Sequence, residues 1–309
     1  MPREIHGSGD QIVLAAGDLT LTLVTWGGGM RELTCGGWAV LDGYGIDEPA
    51  PGAAGQPLIP WPNRLAGGRY EFRGRKHQVP LTEPEKHNAL HGFARWMTWT
   101  VESRSSDRAV LGLTLYPRSG YPFLLRVDVE YTVTPAGVRV VTTARNSGYE
   151  ALPYGSGFHP YVRAGTSSID ECLLLLPADS WLPSDEQQIP TGVQRVEGTR
   201  YDFRSGRVIG MNILDTAFTD LARDPDGLAR VRLWAPDGSR SVTVWMDATY
   251  RYVMAFSGDT LGDVSRRRRS LAVEPMTCAP NAFQTGDGLQ VLEPGQESVA
   301  SWGIDVRGA

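Results

Sequence analysis

Arg126-Val127-Asp128-Val129-Glu130-Tyr131-Thr132-Val133 is followed by the turn signal Pro135-Ala136-Gly137 and then by Val138-Arg139-Val140-Val141-Thr142-Thr143-Ala144. Apolar and polar residues alternate on both sides of the turn, which is the pattern of two half-buried strands joined as a hairpin. The same period-2 pattern recurs. Leu19, Leu21 and Leu23 share one face of Leu19-Thr20-Leu21-Thr22-Leu23-Val24-Thr25, and Leu111-Gly112-Leu113-Thr114-Leu115-Tyr116 alternates likewise. Val231-Arg232-Leu233-Trp234 and Ser241-Val242-Thr243-Val244-Trp245-Met246 flank the turn Pro236-Asp237-Gly238 and read as a second hairpin. Helical periodicity over ten or more residues is nearly absent, so strands do not alternate with helices as a parallel α/β sheet requires. The expected fold is all-β and antiparallel, as a sandwich or a large barrel.

The bulk numbers agree. The chain has 309 residues, with 36 glycines and 21 prolines scattered along its length. That exceeds the usual share of about 12% for the two together and fits many short strands joined by turns. No composition break marks a linker and no fixed-period repeat marks a propeller, so residues 1–309 are expected to form one domain. A net charge of −5 argues against a general nucleic-acid binder. Cys35, Cys172 and Cys278 are an odd set without metal-type spacing, which fits a reducing compartment. Met1 to Asp10 lacks the apolar run of a signal peptide, and no stretch approaches the roughly 18 apolar residues that span a bilayer. A cytoplasmic protein with neither membrane nor nucleic-acid partners is expected; its oligomeric state is left open.

Four segments could carry chemistry. In Val273-Glu274-Pro275-Met276-Thr277-Cys278 a carboxylate leaves the apolar stretch Ser270-Leu271-Ala272-Val273. A buried carboxylate needs a partner or a large desolvation cost, so Glu274 points to proton chemistry. Gly155-Ser156-Gly157-Phe158-His159-Pro160-Tyr161 frames one histidine on constrained backbone, as a proton-transfer residue requires; a structural histidine is the competing reading. His87-Asn88-Ala89-Leu90-His91-Gly92 would place two histidines on one face only if it were helical, and Pro84 and Gly92 argue against a helix. Ile59-Pro60-Trp61-Pro62-Asn63-Arg64-Leu65 mounts Asn63 and Arg64 on a loop stiffened by prolines. No Gly-x-Ser-x-Gly elbow is present around Ser156, and Cys278 reads as a small buried thiol.

Taken together, Pro62-Asn63-Arg64-Leu65, His91-Gly92, Gly157-Phe158-His159-Pro160-Tyr161 and Glu274-Pro275 with Pro280-Asn281-Ala282-Phe283 resemble the aldose 1-epimerase (galactose mutarotase) family, in the family's order and over most of the chain. The resemblance implies a large antiparallel β-sandwich, the galactose mutarotase-like supersandwich, and a cofactor-free, metal-free isomerase acting on a small-molecule sugar. It implies Glu274 as general base, His159 as general acid and His91 as the second active-site histidine. Arg64 and Asn63 become substrate-binding residues, together with an aspartate matched by Asp215 or by nearby Asp220. Trp61-Pro62-Asn63-Arg64 and Glu274-Pro275-Met276-Thr277-Cys278 are similar to a bacterial branch that includes proteins linked to sulfoquinovose, and His91-Gly92-Phe93-Ala94-Arg95 is similar to hexose-6-phosphate epimerases. Both subgroups take an anion at C6, for which Arg266 to Arg269 are candidates; a solvated basic loop is the competing reading. Two other classes stay in view: a non-catalytic sugar-binding module, and a metal-dependent isomerase using His87, His91, His159 and Glu274.

Overall fold

The computed structural model describes residues 5–308; the part of the N-terminal reading that falls on residues 1–4 lies outside them. The hairpin expected around Pro135-Ala136-Gly137 is present. Leu125–Thr134 pairs with Gly137–Asn146 from Leu125↔Asn146 to Thr134↔Gly137. Gly137 already belongs to the ladder, and its reason for being glycine is local: a Cβ there would lie 2.0 Å from the Ile304 carbonyl of the next strand. The second hairpin pairs Ala229–Trp234 with Ser241–Met246.

These strands belong to a nine-stranded sheet ordered Thr100–Arg104, Arg108–Leu115, Leu125–Thr134, Gly137–Asn146, Glu297–Arg307, Ser241–Met246, Ala229–Trp234, Leu173–Leu175 and Arg207–Val208. An eight-stranded sheet lies against it, running Gln194–Arg195, Ala178–Leu182, Asp215–Leu221, Tyr252–Phe256, Leu271–Met276, Gly157–Phe158 and Pro57–Leu58, with Tyr161–Val162 also paired to Leu271–Met276. The facing sides meet in one hydrophobic cluster that contains Val129, Val140, Val244 and Trp302 from the first sheet and Phe158, Phe218, Val253 and Val273 from the second. The rings of Phe158 and Trp302 touch across it with centroids 5.0 Å apart. The same cluster takes in Leu14, Leu21 and Leu23 of a four-stranded sheet at the N-terminus. Among the described residues helix is confined to single turns, the longest being Ala282–Thr285.

What positions the site is the other face of the eight-stranded sheet. Because side chains alternate along a strand, Val253, Ala255 and Val273 face the core while Met254, Phe256 and Glu274 face away from it. That outer face is nonetheless covered: all six residues of Leu271–Met276 are buried. Two smaller apolar clusters border it, one with Leu182, Ala217, Met254 and Met276, the other with Tyr44, Tyr161 and Ala272.

Candidate active site

Register builds the centre of the site. Gly157 pairs with Met276 and Tyr161 with Ala272. Both short strands thus share one register against Leu271–Met276, and His159, in the break between them, stands opposite Glu274. The break is bridged by the Val273 amide, which donates to the Pro160 carbonyl at 3.1 Å. On the other side Glu274 is paired with Met254, Met254 with Ala217, and Phe256 with both Ala272 and Asp215. Two rows therefore cross the outer face: His159, Glu274, Met254, Ala217; and Tyr161, Ala272, Phe256, Asp215. Ala272 is buried beneath Tyr161 and Phe256, whose rings meet edge to face at 6.4 Å.

A cavity of about 370 Å³ sits over these rows, lined also by Asn63, Arg64, Glu83, Lys86, His91, Arg95 and Gln188. Its size is that of a small-molecule pocket. His159 Nε2 lies 3.3 Å from Glu274 Oε1, and both residues are almost fully buried, at 5% and 2% exposure. Glu274 Oε2 and His159 Nδ1 have no hydrogen-bond partner among the described residues. Burial pushes the Glu274 carboxyl well above its ordinary value, Asp215 adds to the rise and Arg64 opposes it. Burial, then the nearby guanidinium of Arg95, pulls His159 down to about 3. The two shifts invert the ordinary order of the pair: its one proton favours Glu274 and leaves His159 neutral, and the form with Glu274 ionised and His159 protonated is reached by passing that proton across the 3.3 Å contact.

His91 comes from a different element. Its loop is pressed onto the cis peptide Ile59-Pro60, where a Cβ on Gly92 would meet the Ile59 carbonyl oxygen at 2.2 Å. The backbone amide of Asn63 donates to His91 Nδ1 at 3.0 Å. An amide can only donate, so Nδ1 carries the lone pair and the neutral ring holds its proton on Nε2. Burial, then His159, keeps His91 well below its ordinary value and hence neutral. The rings of His91 and His159 stand edge to face, 5.3 Å apart.

Arg64 follows on the strand Arg64–Ala66 and is held in a fork by Glu83, Nε to Oε2 at 2.8 Å and the second nitrogen to Oε1 at 2.9 Å. That leaves its remaining N–H groups free to meet a ligand. Asn63 lines the cavity, but its Oδ1 is turned back onto the Arg64 amide at 2.9 Å; its firmest contribution is the backbone hydrogen bond that sets the His91 tautomer. Of the two aspartates, Asp215 lines the cavity, and Asp220 is an exposed residue with a left-handed backbone toward the far end of the same strand.

Two expectations change. The Arg266 to Arg269 run does not line the cavity, and it is not simply a solvated loop. Arg266 and Arg269 both clamp the buried carboxylate of Asp42. Arg268 joins Asp170 at 2.6 Å and Asp259 at 2.9 Å, and Arg267 donates to the Leu261 carbonyl at 2.8 Å. The metal-dependent reading is also weakened. His87 is exposed and caps the single turn Pro84–Lys86, and Asn88–Leu90 is a strand, so the i,i+4 histidines never share a helical face. Ligand atoms of His91, His159 and Glu274 do lie within 4.8 Å of one another. Yet His91 offers no free lone pair, since Nδ1 accepts from Asn63 and Nε2 carries the proton, so the trio fits a metal poorly.

The site also contains residues to which the sequence assigned no role of their own. Arg95 lines the cavity with no carboxylate in contact; burial pulls its guanidinium down to about 10, and its Nε has no partner among the described residues. Its plane lies over Trp96, 4.3 Å from the ring. Gln188 donates to Asp215 and accepts from Lys86. Tyr161 stacks on His159 at 4.8 Å.

The family model for aldose 1-epimerase matches residues 10–304. The chain belongs to the aldose 1-epimerase family. That membership makes it an isomerase of the epimerase type. Among its relatives are the YihR protein of Escherichia coli K12, itself uncharacterised, at 35% identity over 94% of this chain and 92% of that protein, and the galactose mutarotase of Mus musculus at 28% identity over the same shares. The fold is shared with an aldose epimerase homologue of C. elegans, at a TM-score of 0.87, 19% identity, and coverage of 97% of this chain and 99% of that one. Among the described residues no helix is long and apolar enough to cross a membrane.

Proposed function

We propose that this epimerase interconverts the α and β anomers of a hexose by opening and reclosing the ring, with Glu274 and His159 moving the protons. The observation that carries the reading is the buried Glu274–His159 pair, 3.3 Å apart on the floor of a sugar-sized cavity. Mutarotation removes the proton of the anomeric O1 hydroxyl and delivers one to the ring oxygen as the C1–O5 bond breaks. The free aldehyde turns about C1–C2, and the same groups then work in reverse. The reaction has no net proton change, so it needs a pair holding one transferable proton. In the reactive form the pair's proton has passed from Glu274 to His159; ionised Glu274 then takes the O1 proton while His159 delivers its own to O5. The Nε2–H of His91 steadies the developing charge, while Arg64 and Asp215 hold the ring hydroxyls by directional hydrogen bonds.

A second reading concerns the sugar. Arg95 is a cation on the cavity wall without a carboxylate in contact among the described residues, and Lys86 lines the same cavity. A hexose with an anion at C6, such as a sulfonate or phosphate, would supply the missing charge. Arg95 and Lys86, not Arg266 to Arg269, are then the residues that recognise it.

Polarimetry of freshly dissolved α-glucose, α-galactose, glucose 6-phosphate and sulfoquinovose tests both readings. Acceleration of at least one is expected. No acceleration on any of them sinks the proposal, and tight binding of a sugar without turnover would instead mark a non-catalytic binding module. Preference for an anionic sugar that disappears in Arg95→Gln supports the second reading.

A further inference from the structure

We propose that Asn281 is a positioning residue that sets Arg64 at a fixed place relative to Glu274, and so acts on the sugar without touching it. The inference rests on the mutarotase reading above, in which Arg64 holds ring hydroxyls. Asn281 is buried and does not line the cavity.

The sheet that carries Arg64 has two strands among the described residues, Arg64–Ala66 and Asn88–Leu90. In a strand the N–H and C=O of one residue point to the same edge, and successive residues alternate. Leu65 faces Asn88–Leu90, where its partner is Ala89, and the Asn63 carbonyl on that same edge accepts from the His91 amide at 2.9 Å. Arg64 and Ala66 turn their polar groups to the opposite edge, where a third strand would ordinarily pair. Amides from elsewhere in the chain stand in for that strand. The Arg64 N–H donates to Asn63 Oδ1 at 2.9 Å, and the Arg64 carbonyl accepts from the main-chain N–H of Asn281 at 2.7 Å. The Ala66 N–H donates to Asn281 Oδ1 at 3.1 Å, and the Ala66 carbonyl accepts from Gln284 Nε2 at 2.7 Å. Every backbone group on that edge is thus satisfied, and Asn281 makes the central pair of bonds. It does so from a left-handed backbone, φ 65°, which asparagine tolerates better than most residues.

The same residue belongs to the stretch that carries the base. Residues 270–283 are buried without a break, so Glu274 and Asn281 sit on one packed run of backbone. Between them Thr277 exchanges hydrogen bonds with Ser156. Its N–H donates to the Ser156 carbonyl at 2.8 Å, and its Oγ1 accepts from the Ser156 N–H at 2.9 Å. Ser156 in turn opens the segment that leads to His159. Base and acid therefore share one buried frame, and Asn281 is the joint between that frame and the strand of Arg64. The guanidinium is then set at its backbone by Asn281 and at its tip by Glu83.

Asn281→Gly keeps the left-handed backbone and the main-chain N–H and removes Oδ1, whereas Asn281→Asp keeps an acceptor there. Polarimetry on the sugar that wild type turns over fastest is expected to show KM raised about fivefold in Asn281→Gly, the size of one lost hydrogen bond, with kcat and the KM of Asn281→Asp within about twofold of wild type. In an Arg64→Gln background the glycine substitution is expected to add nothing further, because it acts through Arg64. Should Asn281→Gly not fold, Gln284→Ala removes the neighbouring bond of the same edge; KM is expected to rise about twofold and again not to rise further beside Arg64→Gln. Effects that add to Arg64→Gln, or a fall in kcat with KM unchanged, overturn the assignment. The Arg64 Nε–H resonance, followed by NMR without sugar, separates this inference from the mutarotase reading. Its exchange with water is expected to quicken in Asn281→Gly and not in Asn281→Asp. An unchanged rate overturns the positioning role, and if no sugar is turned over the mutarotase reading falls while this measurement still decides on Asn281.

Discussion

The two large sheets begin from similar alternating sequence and end in different chemistry. Along Leu125–Thr134 of the nine-stranded sheet, buried and half-buried residues alternate, and Asp128 and Glu130 meet solvent and arginines. Along Leu271–Met276 every residue is buried, Glu274 included. A carboxylate on the first sheet keeps company with water; one on the second is cut off from it by loops that arrive from residues 52–95 and 183–190. The lesson is that a strand's outer face acquires reactive side chains when something else covers it. A covered carboxylate is then retained for its proton rather than for stability.

The largest effect should come from Glu274→Gln. Mutarotation is expected to fall by about 10³-fold, within the range of general acid–base catalysis, while Glu130→Gln leaves it unchanged. Polarimetry on both variants checks this, and full activity in the Glu274→Gln variant would refute the base assignment. The same substitution should stabilise the fold at neutral pH. Glu274 holds its proton in the folded state to a pH well above its ordinary 4.5. Between those limits the folded state binds the extra proton, so stability falls as pH rises through that window. Thermal melts of wild type against Glu274→Gln from pH 4 to 8 should diverge upward with pH.

Next in size is Asp42→Asn. Removing the charge that Arg266 and Arg269 share should cost about 3 kcal/mol of stability with KM unaltered, read by denaturant titration beside kinetics. A raised KM with intact stability would return the arginine run to the active site. Glu83→Gln should loosen the Arg64 fork and raise KM by about tenfold with a smaller change in kcat. The smallest expected signal is a flat one. With His159 pulled down to about 3 from 6.5, the rate should show no inflection near pH 6.5, and a clear break there would mark a solvated imidazole.

The difference between the sheets also explains what could be read in advance. Hairpins such as Leu125–Asn146 are local, and their register is written in the alternation and the turn. Glu274 and His159 were visible because a carboxylate in an apolar strand and a histidine between glycines and proline both break a local rule. The partners were not visible. Arg266 and Arg269 find Asp42 across 224 and 227 residues, and Gln188 reaches Lys86 across 102. Arg95 was legible only as the end of the His91-Gly92-Phe93-Ala94-Arg95 resemblance, and nothing local showed that it would face a cavity without an acid. Asn63 was legible as a polar residue on a stiff loop, whereas its role in fixing His91 belongs to the backbone and leaves no trace in residue identity.

The shared register of Gly157–Phe158 and Tyr161–Val162 against Leu271–Met276 has a consequence for folding. A slip of one residue would turn Glu274 toward the interior and Val273 into the cavity. Chains that misalign this strand would keep their sheet content and lose turnover. Recovered activity after refolding therefore counts correctly aligned molecules, where circular dichroism counts only those that have formed strands.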